Sequence, residues 1–166
     1  MLLKRLTRLC FLSFFLLCKS SYITKDTKYV NIAFYKEITP KVSNDLTLMI
    51  PIINLEVTTS YSSTLKEGLE IHKLSTKPSD DNSTVIIMGH AGIGQNVYFN
   101  NLKKLKVNDE ISIEYSNNIY NYVIDNKEMI NKGNSYNFEF NQNYLYLITC
   151  YHHDKQIVIR AKMAKN

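Results

Sequence analysis

Six short runs of aliphatic, β-branched and aromatic residues recur through most of this chain: Leu46 to Ile53, Val85 to Met88, Ile111 to Tyr115, Ile119 to Ile124, Tyr144 to Cys150 and Ile157 to Ala161. Runs of that length, separated by polar and turn-forming residues, are the pattern of strands rather than of long helices. Ser116-Asn117-Asn118 lies between two of them and reads as a hairpin turn, because Asn tolerates the left-handed backbone such turns demand. Leu65/Leu69 within Ser63 to Leu74, and Phe99/Leu102/Leu105 within Tyr98 to Leu105, stand at helical spacing, so short helices are expected there. The expected fold is mainly β: a closed barrel with short helices in its connections.

Composition agrees with one folded domain. The chain has 166 residues, 45% of them apolar and 21% charged, with twelve Tyr, seven Phe and no Trp. After a first part that does not look globular, about 120 residues remain, enough for a single core. The net charge is +5, but Lys4, Arg5 and Arg8 supply three of those charges. The other lysines are scattered rather than interleaved with stacking aromatics, which argues against nucleic acid as a partner.

Those three basic residues precede the apolar run Leu9 to Leu17, and polar Lys19-Ser20-Ser21 follows it. This is the order of an export signal. The apolar core is short beside the ~20 residues of a membrane span, although Leu2, Leu3 and a tilt would extend it. Residues 1–18 are therefore expected to be a signal peptide or membrane anchor, 19–44 a polar linker, and 45–166 the folded domain. A lipidated Cys18 is not expected, because Leu17 stands where a small residue would be wanted. The basic flank keeps the N-terminus inside, so the domain is expected to be extracytoplasmic, anchored to the membrane or secreted after cleavage.

Cys10 and Cys18 lie in or beside the apolar segment, leaving Cys150 as the domain's only thiol. It has no intramolecular disulfide partner, so it is either buried and inert or kept for chemistry. It closes the strand run Tyr144 to Ile148, which places the thiol at a strand's mouth. A thiolate needs a nearby imidazole or cation, each unit of pKa lowering being about 1.4 kcal/mol. Of four histidines, His90 stands out: it follows Val85-Ile86-Ile87-Met88-Gly89 and opens the glycine-rich loop Ala91-Gly92-Ile93-Gly94. Such a loop exposes a side chain and lets a substrate backbone come close. The order His before Cys argues against papain-like hydrolases. A chymotrypsin-like cysteine endopeptidase is weakened by the absence of a glycine within ten residues of Cys150 to shape an oxyanion hole.

Taken in order, Met49-Ile50-Pro51-Ile52-Ile53, Gly89-His90, Phe99-Asn100-Asn101-Leu102, Asn108-Asp109-Glu110-Ile111 and Leu147-Ile148-Thr149-Cys150 resemble the sortases, cysteine transpeptidases of Gram-positive cell surfaces, of class A or D type. The resemblance implies an eight-stranded β-barrel in which Cys150 attacks the Thr-Gly bond of an LPxTG-like sorting signal on a surface protein. It further implies that His90 protonates the leaving amine and deprotonates the incoming one, which belongs to a peptidoglycan precursor or a pilin lysine. The third group of the family is an arginine that hydrogen-bonds the developing oxyanion, and Thr149 lies where it can help shape that site.

One departure stands out. In Gln156-Ile157-Val158-Ile159-Arg160, Gln156 holds the place where many sortases carry the catalytic arginine. Residues 156 and 160 share a strand face but lie ~13 Å apart at about 3.3 Å per residue, so they cannot serve one site interchangeably. Arg160 is the only arginine after Arg8, against 17 lysines, and its fork geometry suits the role. Arg160 is therefore the expected oxyanion donor. Otherwise Gln156 replaces it as a neutral donor, and the alternative function is a sortase-like barrel that binds sorting signals or pilins without turnover because its arginine is displaced.

Other candidates carry less. The adjacent side chains of His152-His153-Asp154 diverge, so a substrate-rim loop is expected there rather than a metal site. His72 reads as a surface residue. Glu67, Asp80, Asp81 and Glu114 show no calcium-loop spacing, and no cofactor is expected. Asn82-Ser83-Thr84 matches a glycosylation sequon by chance.

Overall fold

The computed structural model describes residues 44–165. The expected signal or anchor and nearly all of the expected linker lie outside them. Among the described residues no helix is long and apolar enough to cross a membrane.

Eight strands form one sheet: β1 (Asp45–Ile50), β2 (Leu55–Ser60), β3 (Leu69–Ile71), β4 (Thr84–Gly89), β5 (Glu110–Tyr115), β6 (Asn118–Asn131), β7 (Tyr144–Tyr151) and β8 (Lys155–Met163). Their order is β2-β1-β5-β6-β8-β7-β4-β3. The two outer strands are tied by a buried side chain, Thr59 Oγ1 donating to the Leu69 carbonyl at 2.8 Å. The sheet is thus a nearly closed barrel.

Alternate side chains fill the interior, as strand geometry requires. Leu46, Leu48 and Ile50 from β1 meet Ile111 and Ile113 from β5, Leu145 and Leu147 from β7, and Ile157 and Ile159 from β8. At roughly 1.5–3 kcal/mol per fully buried aliphatic side chain, burial of this set strongly favours closure. β4 and β7 read as continuous apolar runs because they pair in parallel and are covered on both faces, the usual condition of parallel strands. Their outward residues Ile86, Tyr144 and Tyr146, with Val158 of β8, form a second buried cluster, against which Tyr136 and Phe138 of the β6–β7 connection pack.

Several elements differ from expectation. The run Leu46 to Ile53 ends as strand at Ile50, because Pro51 removes a ladder donor and starts a 3-10 turn, Pro51–Ile53. The expected helix over Ser63 to Leu74 is a single 3-10 turn, Leu65–Glu67, stopped by Gly68 at φ 132°. Leu69–Ile71 is instead β3, antiparallel to β4, and His72 follows it. Tyr98 to Leu105 holds a 3-10 helix, Phe99–Lys104. The hairpin turn is formed by Ser116 and Asn117, both with positive φ, while Asn118 already belongs to β6.

Candidate active site

Strands β4 and β7 run side by side in register, and their last shared pair is Gly89↔Thr149. His90 follows Gly89 just beyond the end of β4, and Cys150 follows Thr149 within β7. Paired strands lie about 4.8 Å apart, so the register brings the residues that follow this pair, His90 and Cys150, to the same end of the sheet. Thr149 Oγ1 donates to the Gly89 carbonyl at 2.9 Å in a buried bond. That bond ties the two strands together just before His90 and Cys150. The role found for Thr149 is this tie across the strands.

Gly89 is glycine for a steric reason. A Cβ there would stand 2.6 Å from Leu69 Cδ2 and 2.7 Å from Phe99 Cδ2, distances that real carbon pairs do not tolerate. Beyond it, the Phe99 amide donates to the His90 carbonyl at 3.1 Å. The Asn100 side chain grips Gly92 from both sides, accepting from its amide at 2.7 Å and donating to its carbonyl at 3.0 Å. The glycine-rich loop is thus tied to the 3-10 helix on both flanks of Ala91, while the His90 side chain stays exposed.

Cys150 is a free, half-buried thiol. One side of it opens into a cavity of about 330 Å³ lined by Ala91, Gly92, Asn100, Lys103, His152 and His153, among others. His152, in the left-handed region at φ 58°, stacks edge-on against Tyr151 with centroids 4.1 Å apart. The β7–β8 turn therefore forms a rim of this cavity. Among the described residues, no three His, Cys, Asp or Glu side chains gather as a metal site would require.

On the outer face, a groove of about 190 Å³ is lined by Met88, Ile148, Gln156 and Val158, with Tyr136 and Phe138 as its wall. Gln156 stands at its thiol end, being the cross-strand partner of Cys150. Phe138 meets Tyr146 edge to face, centroids 5.1 Å apart, and Tyr136 does the same at 5.9 Å. Burial and, next, the Glu139 backbone act in opposite senses on the Tyr146 hydroxyl, burial prevailing and raising its pKa. Burial likewise pushes Tyr136 up to about 12.

Arg160, the expected oxyanion donor, is not brought to Cys150. Its partners across the ladders are Tyr146 on β7 and Asn126 on β6, four residues from the thiol's own pair, or ~13 Å along the strand. Its Nε donates to Asp125 Oδ1 at 2.9 Å, its Nη1 pairs with Glu139 Oε1, and its guanidinium lies 4.7 Å from the centre of the Tyr144 ring. The Asp125 hydrogen bond leads in holding its pKa above even the usual arginine value. Partly exposed ion pairs contribute only ~0–1 kcal/mol to stability, so the effect of these contacts is to fix geometry.

Sequence reasoning missed the groove wall. The alternation Tyr136-x-Phe138-x-Phe140 was the available signal: three aromatics with period two inside a polar connection have a surface to cover. Nothing local announced that Glu139 and Asp125 meet Arg160.

The fold is a nearly closed β-barrel in which a histidine just beyond β4 and a half-buried thiol near the end of the parallel β7 lie at the same end of the sheet. A model of the sortase domain matches residues 42–164, and the chain belongs to the sortase family, whose members are cysteine transpeptidases. Among solved structures, sortase A of Corynebacterium diphtheriae in a lid-mutant form superposes with TM-score 0.66 at 22% identity, covering 75% of this chain and 72% of that one. A sortase D5 transpeptidase of Clostridium perfringens gives 0.64 at 22%, covering 74% and 79%. Sortase C of Clostridium perfringens, solved with the C-terminal cell wall sorting motif, gives 0.62 at 19%, covering 72% and 70%. These likenesses extend to the fold. No curated protein matched the sequence.

Proposed function

We propose that this chain is a sortase transpeptidase that cleaves an LPxTG-like sorting signal through a thioacyl intermediate on Cys150 and passes the acyl group to an amine. The observation that carries the reading is the register of β4 and β7, in which His90 and Cys150 directly follow the paired Gly89 and Thr149.

The Cys150 thiolate attacks the scissile carbonyl carbon, the carbonyl electron pair moving to oxygen. Collapse of that tetrahedral species breaks the C–N bond. The His90 imidazolium gives its proton to the departing amine, and the resulting neutral imidazole accepts one from the incoming amine as it attacks the thioester. Amide formation releases the thiolate, so atoms and protons balance over the cycle. Gln156, opposite Cys150, supplies a neutral amide donor for the developing oxyanion in place of an arginine.

The groove walled by Tyr136 and Phe138 takes the apolar upstream residues of the sorting signal, and the cavity on the other side of Cys150 takes first the leaving amine and then the acceptor. The sorting-motif complex of Clostridium perfringens sortase C supports a sorting signal as the substrate class. The donors in this reading are surface proteins bearing that signal, and the acceptor is a peptidoglycan precursor or a pilin lysine. The N-terminal segment directs the barrel to the outer side of the membrane, either anchoring it there or being cleaved to release it, and the reading needs neither metal nor cofactor.

The test is transfer. The protein is incubated with a labelled LPxTG-type peptide, with and without an added amine. A new amide to that amine supports a transpeptidase, whereas hydrolysis at an unchanged rate with or without amine points to an endopeptidase. Binding of the peptide without any turnover points to a non-catalytic barrel.

A further inference from the structure

Arg160 has no part in the mechanism above, yet its contacts reach three elements. Asp125 is the residue at which β6 shifts register against β8, between Ile124 and Asn126, and it accepts from Arg160 Nε. Glu139 lies in the β6–β7 connection and is paired with Arg160 Nη1. Tyr144 opens β7, with the guanidinium over its ring. A second bond grips the same loop residue, the Glu139 amide donating to the Tyr146 hydroxyl at 3.0 Å. The chain neighbour of Glu139 is Phe138, the groove wall, whose ring is held between Tyr146 at 5.1 Å and His72 at 6.4 Å.

We infer that Arg160 is a positioning residue for substrate selection: by pinning Glu139 it sets where Phe138 stands, and so shapes the distal end of the groove. This rests on the transpeptidase reading of the site. Arg160 lies opposite Tyr146, four residues before Cys150. An extended substrate rising about 3.3 Å per residue covers that ~13 Å with four residues. The position it governs is the apolar residue about four places before the cleaved bond. A bidentate, planar guanidinium reaching two carboxylates on different elements is a task that a lysine's point charge performs poorly, which gives the chain's one late arginine a reason to be arginine.

The experiment compares the full chain with Arg160→Gln, Glu139→Gln, the double variant and Arg160→Lys. Acylation of Cys150 is measured with two peptides that differ only in carrying Leu or Ala at that fourth position. The expected result is a KM for the Leu peptide raised about tenfold in Arg160→Gln, the scale of an ill-fitted apolar side chain, with kcat within about twofold. The preference for Leu over Ala shrinks by a similar factor, Arg160→Lys recovers only part of it, and the double variant is no worse than Arg160→Gln alone. Amide exchange at Glu139 quickens in the same variants. A fall in kcat of about a hundredfold or more with KM unchanged overturns the inference, because that is the mark of a lost oxyanion donor. Unchanged kinetics and preference overturn it equally. Absence of acylation of the unmodified protein by either peptide is a failure of the transpeptidase reading itself, and is distinguished by being independent of residue 160.

Discussion

Cys150 and Gln156 are partners across β7 and β8, and the next turn of the same ladder that matters pairs Tyr146 with Arg160. The two relationships place two different side chains on one strand face. At the thiol end stands an uncharged amide donor, and at the far end a guanidinium committed to Asp125 and Glu139. The division follows from the length of the β7–β8 turn. Only His152, His153 and Asp154 separate the strands, and a tight connection fixes the register that brings Gln156, not Arg160, beside Cys150.

Replacing Gln156 tests that assignment. Gln156→Ala is expected to slow acylation of Cys150 by about a hundredfold, the range for losing one oxyanion donor. Gln156→Arg, which supplies a charged donor from the same position, is expected to match or exceed the native rate. Single-turnover acylation with a labelled peptide measures both, and equal rates for the native and alanine proteins would contradict the role.

Thr149→Val removes the hydroxyl that bonds the Gly89 carbonyl while keeping the side chain's shape. An oxygen left without this partner in a buried setting costs about 1–3 kcal/mol. A denaturant midpoint lowered accordingly, with Thr149→Ser close to native, is the expected outcome. The acylation rate falls as well, because the same bond aligns the strand ends that carry His90 and Cys150.

Gly89→Ala places a methyl group within 2.6 Å of Leu69 and 2.7 Å of Phe99. Overpacking of this kind costs about 1–3 kcal/mol. A lower thermal midpoint is expected, together with faster amide exchange at Phe99, whose bond to the His90 carbonyl depends on the same packing.

Phe138→Ala opens the groove wall without touching Cys150 or His90. KM for the sorting peptide is expected to rise about tenfold or more while acylation at saturation changes little, and a kcat effect alone would contradict the groove assignment.

Much of the barrel was legible because its central strands advertise themselves. β4, β5, β7 and β8 are dense in aliphatic, β-branched and aromatic residues, and the first and third of these are buried on both faces. β2 was invisible: in Leu55–Ser60 only Thr59 is buried, so no apolar run marks it. β6 reads as strand only to Ile124, since its second half, Asn126 to Asn131, is mostly polar and is held as strand by its ladder with β8. β3 was mistaken for helix because Leu65 and Leu69 share helical spacing, although Gly68 breaks the turn and pairing with β4 decides the matter. That His90 and Cys150 lie at or near the ends of buried strands was legible, because each follows an apolar run. The place of Arg160 was not, because it depends on the register of one ladder and on two carboxylates distant in sequence, Asp125 and Glu139.

The central claim is that Cys150 carries a thioacyl intermediate, and intact-mass measurement of the protein after mixing with an LPxTG-type peptide library tests it most directly. The account predicts an adduct with the mass of the peptide up to its threonine, absent in Cys150→Ala, strongly reduced in His90→Ala and discharged by an added amine. Persistent peptide binding with no mass shift on Cys150 for any member of the library would contradict it.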